Sequence, residues 1–524
     1  MFFTWIVAHY YIPGKGFTYL IEFGGLNHAA FLPEVKAVNH FEIPGSHGYD
    51  GQWYAQIAMH PRVGDPALGA AVDKLPYRAR RILFEWTAWV LGAGDPIRVM
   101  NAYALQNIAG WYFLAALLTR WFPPLSFGNF FRWTAMLFSF GLIFSVRGAL
   151  LDGPSLLLVA LGMALIESKR PFAAAWVLGI SGLGKDTNVL SAPALRFPES
   201  ARARAWAKWM AQVALVLAPV ALWAFCLKVW IGSGSDIGID NFSVLGAGLC
   251  HKALATVSGL IAEAHPFQSV LAFDLLVLLG LLAQFFFFLL RVRWKESWWR
   301  LGAGYAVLLM FLGDAVWTDY PSAAARVLLP MTLAFNVLVP RGGWWPVLLF
   351  MGNIGVFGSA DFLRTGMPDT ISDCYVVEGP WALRFNAKDN FGVTARFGPR
   401  NWWMPERERM PGKRTDDYWR WSSGDSSIIL SNPQPFEISA DITFGMATVD
   451  PRAVTVTRDS VAVWNGALKP GEDNRAHLAE MVLPPGDTVL HFSSDRPGVA
   501  PGGSERRLFA FSVRDLKIVL KGRR

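Results

Sequence analysis

Apolar segments of near-bilayer length, repeated as far as residue 360, constrain this chain more than any other feature. They run at roughly 99–119, 129–147, 152–167, 172–182 with 186–195, 207–231, 267–292, 299–317, 321–339 and 343–360. Charges are sparse within them, and about 20 apolar residues in a helix suffice to cross a bilayer. The pattern predicts a polytopic α-helical membrane protein. Composition agrees, with 53% hydrophobic and only 17% charged residues, against about 25% charged in soluble proteins. The 24 Trp and 38 Phe suit membrane interfaces, which favour aromatic rings.

The net charge of +8 belongs to cytoplasmic loops, where Lys and Arg collect. No basic stripe or aromatic RNA-binding motif accompanies it, so nucleic acid is not an expected partner. Cys226, Cys250 and Cys374 match no metal-ligand spacing and no disulfide framework. Cys226 reads as a small packed residue, and Cys250 with Cys374 can bridge if both face an oxidising compartment. The run Met1 to Ile12 is too short to span and carries no cleavable signal pattern. It either continues through Pro13–Gly14 into Phe17–Phe23 as a broken helix, or is the stump of a helix cut by a late start.

The pair 172–182 and 186–195 is interrupted by Gly184-Lys185-Asp186. A broken or re-entrant pair explains it, because irregular backbone is allowed at membrane depth where it lines a cavity. Three charged stretches set the orientation: Glu167-Ser168-Lys169-Arg170; Arg196, Arg202, Arg204 and Lys208; and Arg291, Arg293, Lys295 and Arg300. All fall on one side if the N-terminus is cytoplasmic and the broken pair crosses twice. That gives about eleven membrane segments and an outer C-terminus. The expected domains are a helical one over 1–360, with an outer loop at about 24–98, and an extracytoplasmic one over 361–524. A bacterial inner (cytoplasmic) membrane is the expected location.

The tail changes character. Apolar and polar residues alternate at Ser427–Leu430, Phe436–Phe444, Ala453–Val456, Thr488–Phe492 and Leu508–Val513, between turns such as Asn432-Pro433 and Pro484-Pro485-Gly486. This predicts an all-β, jelly-roll-like sandwich. In Trp419-Arg420-Trp421, alternation puts both tryptophans on one face, where they fill the core or stack on a sugar ring. The core is the preferred place.

The densest chemical signal is His47-Gly48-Tyr49-Asp50-Gly51-Gln52-Trp53-Tyr54-Ala55-Gln56-Ile57-Ala58, just after the first apolar run. A carboxylate at the membrane surface can hold a raised pKa and accept a hydroxyl proton. Gly51 allows close approach, and Trp53, Tyr54 and Ile57 share a face if helical. Asp50 also reads as a plain helix cap.

The stretch Gly48-Tyr49-Asp50-Gly51-Gln52-Trp53-Tyr54 resembles the first-loop acidic motif of the GT-C superfamily of membrane glycosyltransferases, which includes protein O-mannosyltransferases and GPI mannosyltransferases. The resemblance implies a GT-C-like fold and a polyprenyl-phosphate-linked sugar as donor. It also implies a catalytic acid in the first outer loop, here Asp50. Tyr77–Leu83, Asp152-Gly153-Pro154, Gly184–Asn188 and Ala325–Pro330 are similar to an uncharacterised bacterial membrane family.

Arg78, Arg80 and Arg81 run against the positive-inside trend. Guanidinium groups bind phosphate in bidentate fashion, which gives them a reason to be there; anchoring on anionic lipid is the alternative. Lys185 and Asp186 are ionisable groups in an apolar stretch and face a cavity or a partner. Lys185 and Arg326 are further donor-phosphate candidates. Tyr49, Gln52, Trp53, Tyr54, Asp152 and Asp186 are substrate-binding candidates, although Asp152 also pairs plausibly with Arg147 across a turn. A divalent cation, Mg or Mn, is compatible with the resemblance, but His47, His60, Asp50 and Asp65 show no metal-ligand spacing.

The expected activity is inverting transfer of a sugar to an extracytoplasmic glycan, lipid or protein acceptor, with Asp50 as general base. The rivals are a transporter or flippase of lipid-linked sugars, for which no internal repeat speaks, and a non-catalytic envelope polysaccharide assembly protein.

Overall fold

The computed structural model describes residues 2–12, 15–43, 47–198, 202–232, 241–262, 270–317, 322–359, 375–378, 393–403, 406–408, 417–472, 474–501 and 507–523. Asp319, Tyr320, Cys374 and the expected domain boundary near residue 361 lie outside them. The chain divides into two compact units. One joins Leu32–Val35 to Trp53–Arg364; the other joins Met1–Phe31, Lys36–Gln52 and Thr365–Arg524. The N-terminal 31 residues therefore group with the C-terminal strands, not with the helices that follow them.

The first unit is helical. Its early part folds into short helices at Pro66–Ala71, Leu75–Arg78 and Leu83–Gly92, the last of them mostly apolar. Helix Pro96–Leu118 starts where the Asp95 side chain accepts the Arg98 amide and Pro96 occupies the first turn. Two helices are long and apolar enough to cross a membrane, Ala203–Trp230 and Leu271–Leu290. Helices Phe127–Leu137 and Phe140–Arg147 pass the same test as a pair bent by 43°.

Helix Pro96–Leu118 is as long, at 23 residues, but the remaining apolar segments form shorter helices among the described residues. Asp152–Glu167 has 16 residues and Pro171–Gly184 has 14, or about 24 and 21 Å at 1.5 Å per residue. A bilayer core is about 30 Å thick, so among the described residues the expected eleven segments do not appear as eleven full-length helices. The helix Ala247–Ala262 falls between segments and was not legible from hydropathy.

Buried polar groups join these helices. Arg132, nearly fully buried, donates to the Asn336, Val339 and Pro340 carbonyls. It thereby satisfies the last carbonyls of helix Leu329–Leu338. Asn336 and Asn353 exchange amide hydrogen bonds at 3.0 and 3.1 Å, the kind of polar contact that ties helices where no hydrophobic force separates lipid from protein.

The second unit is built on strands. A two-residue parallel pairing of β1 (Phe23–Gly24) with β2 (Glu42–Ile43) holds its N-terminal part. Its sandwich comprises β3 (Tyr375–Glu378), β4 (Thr394–Phe397), β5 (Glu406–Glu408), β6 (Asp417–Ser422), β7 (Ser426–Asn432), β8 (Ile438–Ala447), β9 (Arg452–Arg458), β10 (Val461–Leu468), β11 (Asn474–Leu483), β12 (Gly486–Ser494) and β13 (Phe511–Arg523). One sheet has the order β10-β9-β12-β7-β4, and the other has β11-β8-β13-β6-β5 with β3 beside β13. From β6 to β13 successive strands pass from one sheet to the other, except that β9 and β10 form a hairpin within one sheet, which is the jelly-roll connection. The strict alternation of Ser426–Asn432, buried at every other residue, sends Ile428 and Leu430 into a core shared with Ile442, Phe444, Val456 and Phe511.

The Trp419-Arg420-Trp421 triplet is placed the other way round from the preferred reading. Arg420 is fully buried with its guanidinium over the Phe397 ring at 4.9 Å. The tryptophans are half-buried on the outer face, where Trp421 stacks on Phe509 at 4.7 Å and Trp419 donates to Glu406 at 3.1 Å. Among the described residues Cys226 and Cys250 are free thiols, and Cys374, the other half of the bridge considered above, lies outside them; Cys226 is half-buried, not fully packed.

Candidate active site

Asp50 is the turn residue immediately before helix Gly51–Met59. The backbone leading to it is tightly held. Gly48 has φ +70, and a Cβ there would lie 2.5 Å from both the Glu22 oxygen and the Gly24 nitrogen, so only glycine fits. The Tyr49 amide donates to the Glu22 carbonyl at 3.0 Å. Gln52 is buried; it accepts the Gly24 amide at 3.1 Å and donates to the His47 carbonyl at 2.7 Å. Its amide thus fixes the motif's backbone. Tyr49, Asp50 and Trp53 are half-exposed. Asp50 and Gln52 belong to the unit that carries the sandwich, and from Trp53 onward the helix belongs to the helical unit.

Within the helical unit, Tyr54 is buried and accepts a hydrogen bond from Arg81 at 2.9 Å. Arg81 also donates to Tyr77 at 3.0 Å and to Asp186 at 3.3 Å. Burial works against the Arg81 charge, and the Asp186 carboxylate outweighs it, holding the guanidinium well above its ordinary range. Arg78 makes a two-point contact with Asp73 at 3.1 and 2.9 Å and lies 5.5 Å over the Tyr54 ring. Arg80 is half-exposed and adds to the positive field at Asp186.

The break in the apolar stretch falls at Lys185, whose backbone is extended at φ −153 and ψ 116 between helix Pro171–Gly184 and the 3-10 helix Asp186–Ala194. Side chains alternate across extended backbone, so the two neighbours diverge. Lys185 pairs with Asp152, while Asp186 pairs with Arg81. Arg326 donates to the other oxygen of Asp152 at 3.2 Å. Asp152 is thus taken by Lys185 and Arg326, not by Arg147. Tyr305 supports the 3-10 turn, donating to the Thr187 carbonyl or the Asn188 amide oxygen, each at 3.1 Å.

Close backbone approaches place these groups. A Cβ on Gly141 would lie 2.5 Å from the Ala325 carbonyl, so this glycine lets the residue before Arg326 reach helix Phe140–Arg147. Ser145 accepts the Gly153 amide at 2.8 Å and donates to the Leu150 carbonyl at 3.1 Å, fixing the turn into Asp152.

The structure pairs Arg81 with Asp186, and Lys185 and Arg326 with Asp152; the two groups join through the Lys185–Asp186 backbone. In these pairs three cations meet two carboxylates, and Arg80 adds to the field at Asp186. A surplus of buried positive charge is a receptor for an anion. One residue of this region went unnoticed in the sequence. Glu85 is 0% exposed, with no side-chain partner for either oxygen among the described residues. Burial pushes its carboxyl well above the usual range, against the pull of Arg81. It is a lone acid in the apolar helix Leu83–Gly92, and that isolation was the available signal.

His60 contacts Glu34 at 3.2 Å and Asp65 at 3.4 Å. No group of three or more His, Cys, Asp or Glu side chains suited to a metal ion occurs among the described residues.

No protein-family model and no curated protein sequence matches the chain. Among solved structures, it is similar to the arabinosyltransferase EmbB from Mycobacterium smegmatis, determined by single-particle cryo-EM, with 9% identity and a TM-score of 0.28. The match covers 94% of this chain and 63% of the EmbB chain. At that TM-score, no activity and no site residue transfers from EmbB to this chain.

Proposed function

We propose that the chain is an inverting membrane glycosyltransferase that moves a sugar from a polyprenyl-phosphate-linked donor to an extracytoplasmic glycan, lipid or protein acceptor. The observation that carries this reading is the buried cationic surplus of Arg81, Lys185 and Arg326 around Asp152 and Asp186. A phosphate monoanion or dianion is the ligand such a surplus takes.

The reading assigns roles as follows. Arg80, Arg81, Lys185 and Arg326 hold the donor phosphate. Arg78, anchored on Asp73, steadies the Tyr54 ring. Asp50, at the head of the helix that carries Tyr54, takes the proton from the acceptor hydroxyl. The hydroxyl oxygen attacks the anomeric carbon as the carbon–oxygen bond to phosphate breaks. Polyprenyl phosphate leaves with the electron pair, and the cations stabilise the charge that develops on it. The sugar configuration inverts, and the proton ends on Asp50. Tyr49 and Trp53 offer aromatic surface to the sugar, the buried Tyr54 orients Arg81, and Gln52 holds the backbone that presents Asp50.

The donor half is tested on the purified protein in detergent, with labelled polyprenyl-phosphate sugars. Arg81→Gln and Arg326→Gln should each raise KM for the donor by about tenfold or more, since a charge-assisted contact to phosphate is worth roughly 1.5–3 kcal/mol. Unchanged donor KM in both variants would remove the phosphate role. Transfer without sealed vesicles separates an enzyme from a flippase, which needs two compartments.

A further inference from the structure

A cavity lies wholly within the sandwich-bearing unit. The N-terminal segment, from Ile12 to Glu42, forms one wall, and β4 with Ile429 of β7 forms the other. Its volume is about 450 Å³, inside the range of about 300–1,000 Å³ for small-molecule sites. None of the donor-site residues discussed above lines it.

The wall chemistry is one-sided. Lys15, Lys36 and Arg396 bring three cations, and His28 and His40 add two imidazoles. Glu42 is the single acid of the lining among the described residues. Its Oε1 lies 2.9 Å from His28 Nδ1 and 3.1 Å from His40 Nε2. His40, buried, directs its other nitrogen to the Val38 carbonyl at 2.8 Å. The one negative charge is therefore taken up inside the wall and does not face the cavity uncompensated.

Lys36 and Arg396 keep donor capacity. Lys36 uses one of three ammonium donors on the Ala29 carbonyl at 2.7 Å. Arg396 points one amino group at Asp487 at 2.9 Å, and a guanidinium has five donors. Asp487 in turn accepts from Ser431 at 2.6 Å, which holds the pair in register on the sheet. Phe41 and Phe397 supply apolar floor, the kind of surface on which the C–H face of a sugar ring packs. Cations above an aromatic floor, in a space of one to two sugar rings, select a ligand with both an anionic group and a ring. A bare lipid chain would leave the remaining donors of Lys36 and Arg396 desolvated and unsatisfied, at a cost.

We propose that this cavity binds an anionic saccharide, one carrying a carboxylate or phosphate substituent. The site is separate from the proposed donor site and does not depend on the transferase reading. On that reading, it would hold the acceptor glycan or a charged part of it.

The test is calorimetric titration of the full chain in detergent with digalacturonic acid, glucose 6-phosphate and maltose. The expected result is binding of at least one anionic probe about tenfold or more tighter than maltose, and weaker in high salt. The double variant Lys36→Gln/Arg396→Gln should weaken that binding by about tenfold or more with an unchanged melting midpoint. The variant Arg81→Gln, altered in the helical unit, should leave it intact. Maltose binding as tightly as the acids, no probe binding at millimolar concentration, or insensitivity to the double variant would each overturn the proposal. So would loss of binding in Arg81→Gln with the double variant unaffected, because the anion would then sit on the donor cluster. A melting loss in the double variant is met with Arg396→Lys. That variant keeps the charge and should retain binding to within about threefold if charge is what the site reads; a larger loss would overturn the charge argument.

Discussion

Glu42 shows how one side chain couples chemistry to fold in this protein. Burial alone would raise its pKa, but hydrogen bonds and charge from His40 and then His28 bring it down from 4.5 to about 2. A carboxyl depressed in the folded state contributes stability above its ordinary pKa, and that contribution fades as pH falls toward the folded value. Glu42→Gln should therefore lower the folding stability at pH 6 by at most about 3.5 kcal/mol, since one pKa unit is worth about 1.4 kcal/mol, and with it the thermal midpoint. The deficit should shrink between pH 4.5 and about 2. A deficit of constant size across that window would show that Glu42 acts by packing alone. At the same scale, Lys185 and Asp186 were legible as costly ions in an apolar run. Their partners were not, because the contacts join residues 105 positions apart in Arg81–Asp186 and 174 apart in Asp152–Arg326. No local pattern records separations of that kind. Arg420 went unread for a related reason: period-2 alternation states which residues share a face, and tertiary packing decides which face is inside.

Helices and their crossings decide where those ions meet. The break at Gly184-Lys185-Asp186 could be read directly, since glycine and two charges interrupt an apolar run, and the structure ends one helix and starts a 3-10 turn there. The closeness of helix Phe140–Arg147 to Ser322–Val327 could not, because it depends on Gly141 meeting the Ala325 carbonyl. Gly141→Leu should push the Arg326-bearing helix away from Asp152 and lower transfer by about tenfold to a hundredfold, the scale of a misplacement near 1 Å. Gly148→Ala is the control, since a Cβ there meets its nearest neighbour, a Leu150 side-chain atom, at 3.4 Å. Wild-type transfer in Gly141→Leu would contradict the role of this approach. Among strands, β7, β8, β9 and β12 followed their alternation. Strand β11 was hidden by a register shift between Leu478 and Met481, where an irregularity moves apolar residues out of phase. Strand β10 was hidden because most of its residues are not buried.

Two compact units make up the molecule, and the division was only half legible. The alternating tail announced a sandwich, and β6 to β13 take the jelly-roll order. Nothing in the apolar N-terminal run signalled that residues 1–31 and 36–52 group with that sandwich. Long-range contacts made that choice. On the proposed orientation, the C-terminal unit is extracytoplasmic, and the Lys and Arg clusters at 196–208 and 291–300 are cytoplasmic. Alkaline phosphatase fused after Arg524 should then be active in a bacterial host, and a green fluorescent protein fused at the same point should stay dark. Bright fluorescence with an inactive phosphatase would reverse the orientation and place Asp50, with its unit, on the wrong side for an extracytoplasmic acceptor.

The central claim is that Asp50 is the base of a sugar transfer served by the Arg81, Lys185 and Arg326 cluster. Its most direct test is single-turnover transfer in detergent from a polyprenyl-phosphate-linked sugar, comparing the unaltered chain with Asp50→Asn at matched donor occupancy. The account predicts product from the former and a rate lower by about a hundredfold or more in the latter, the usual size of a general-base contribution, with donor affinity unchanged. Equal rates in the two proteins would contradict it.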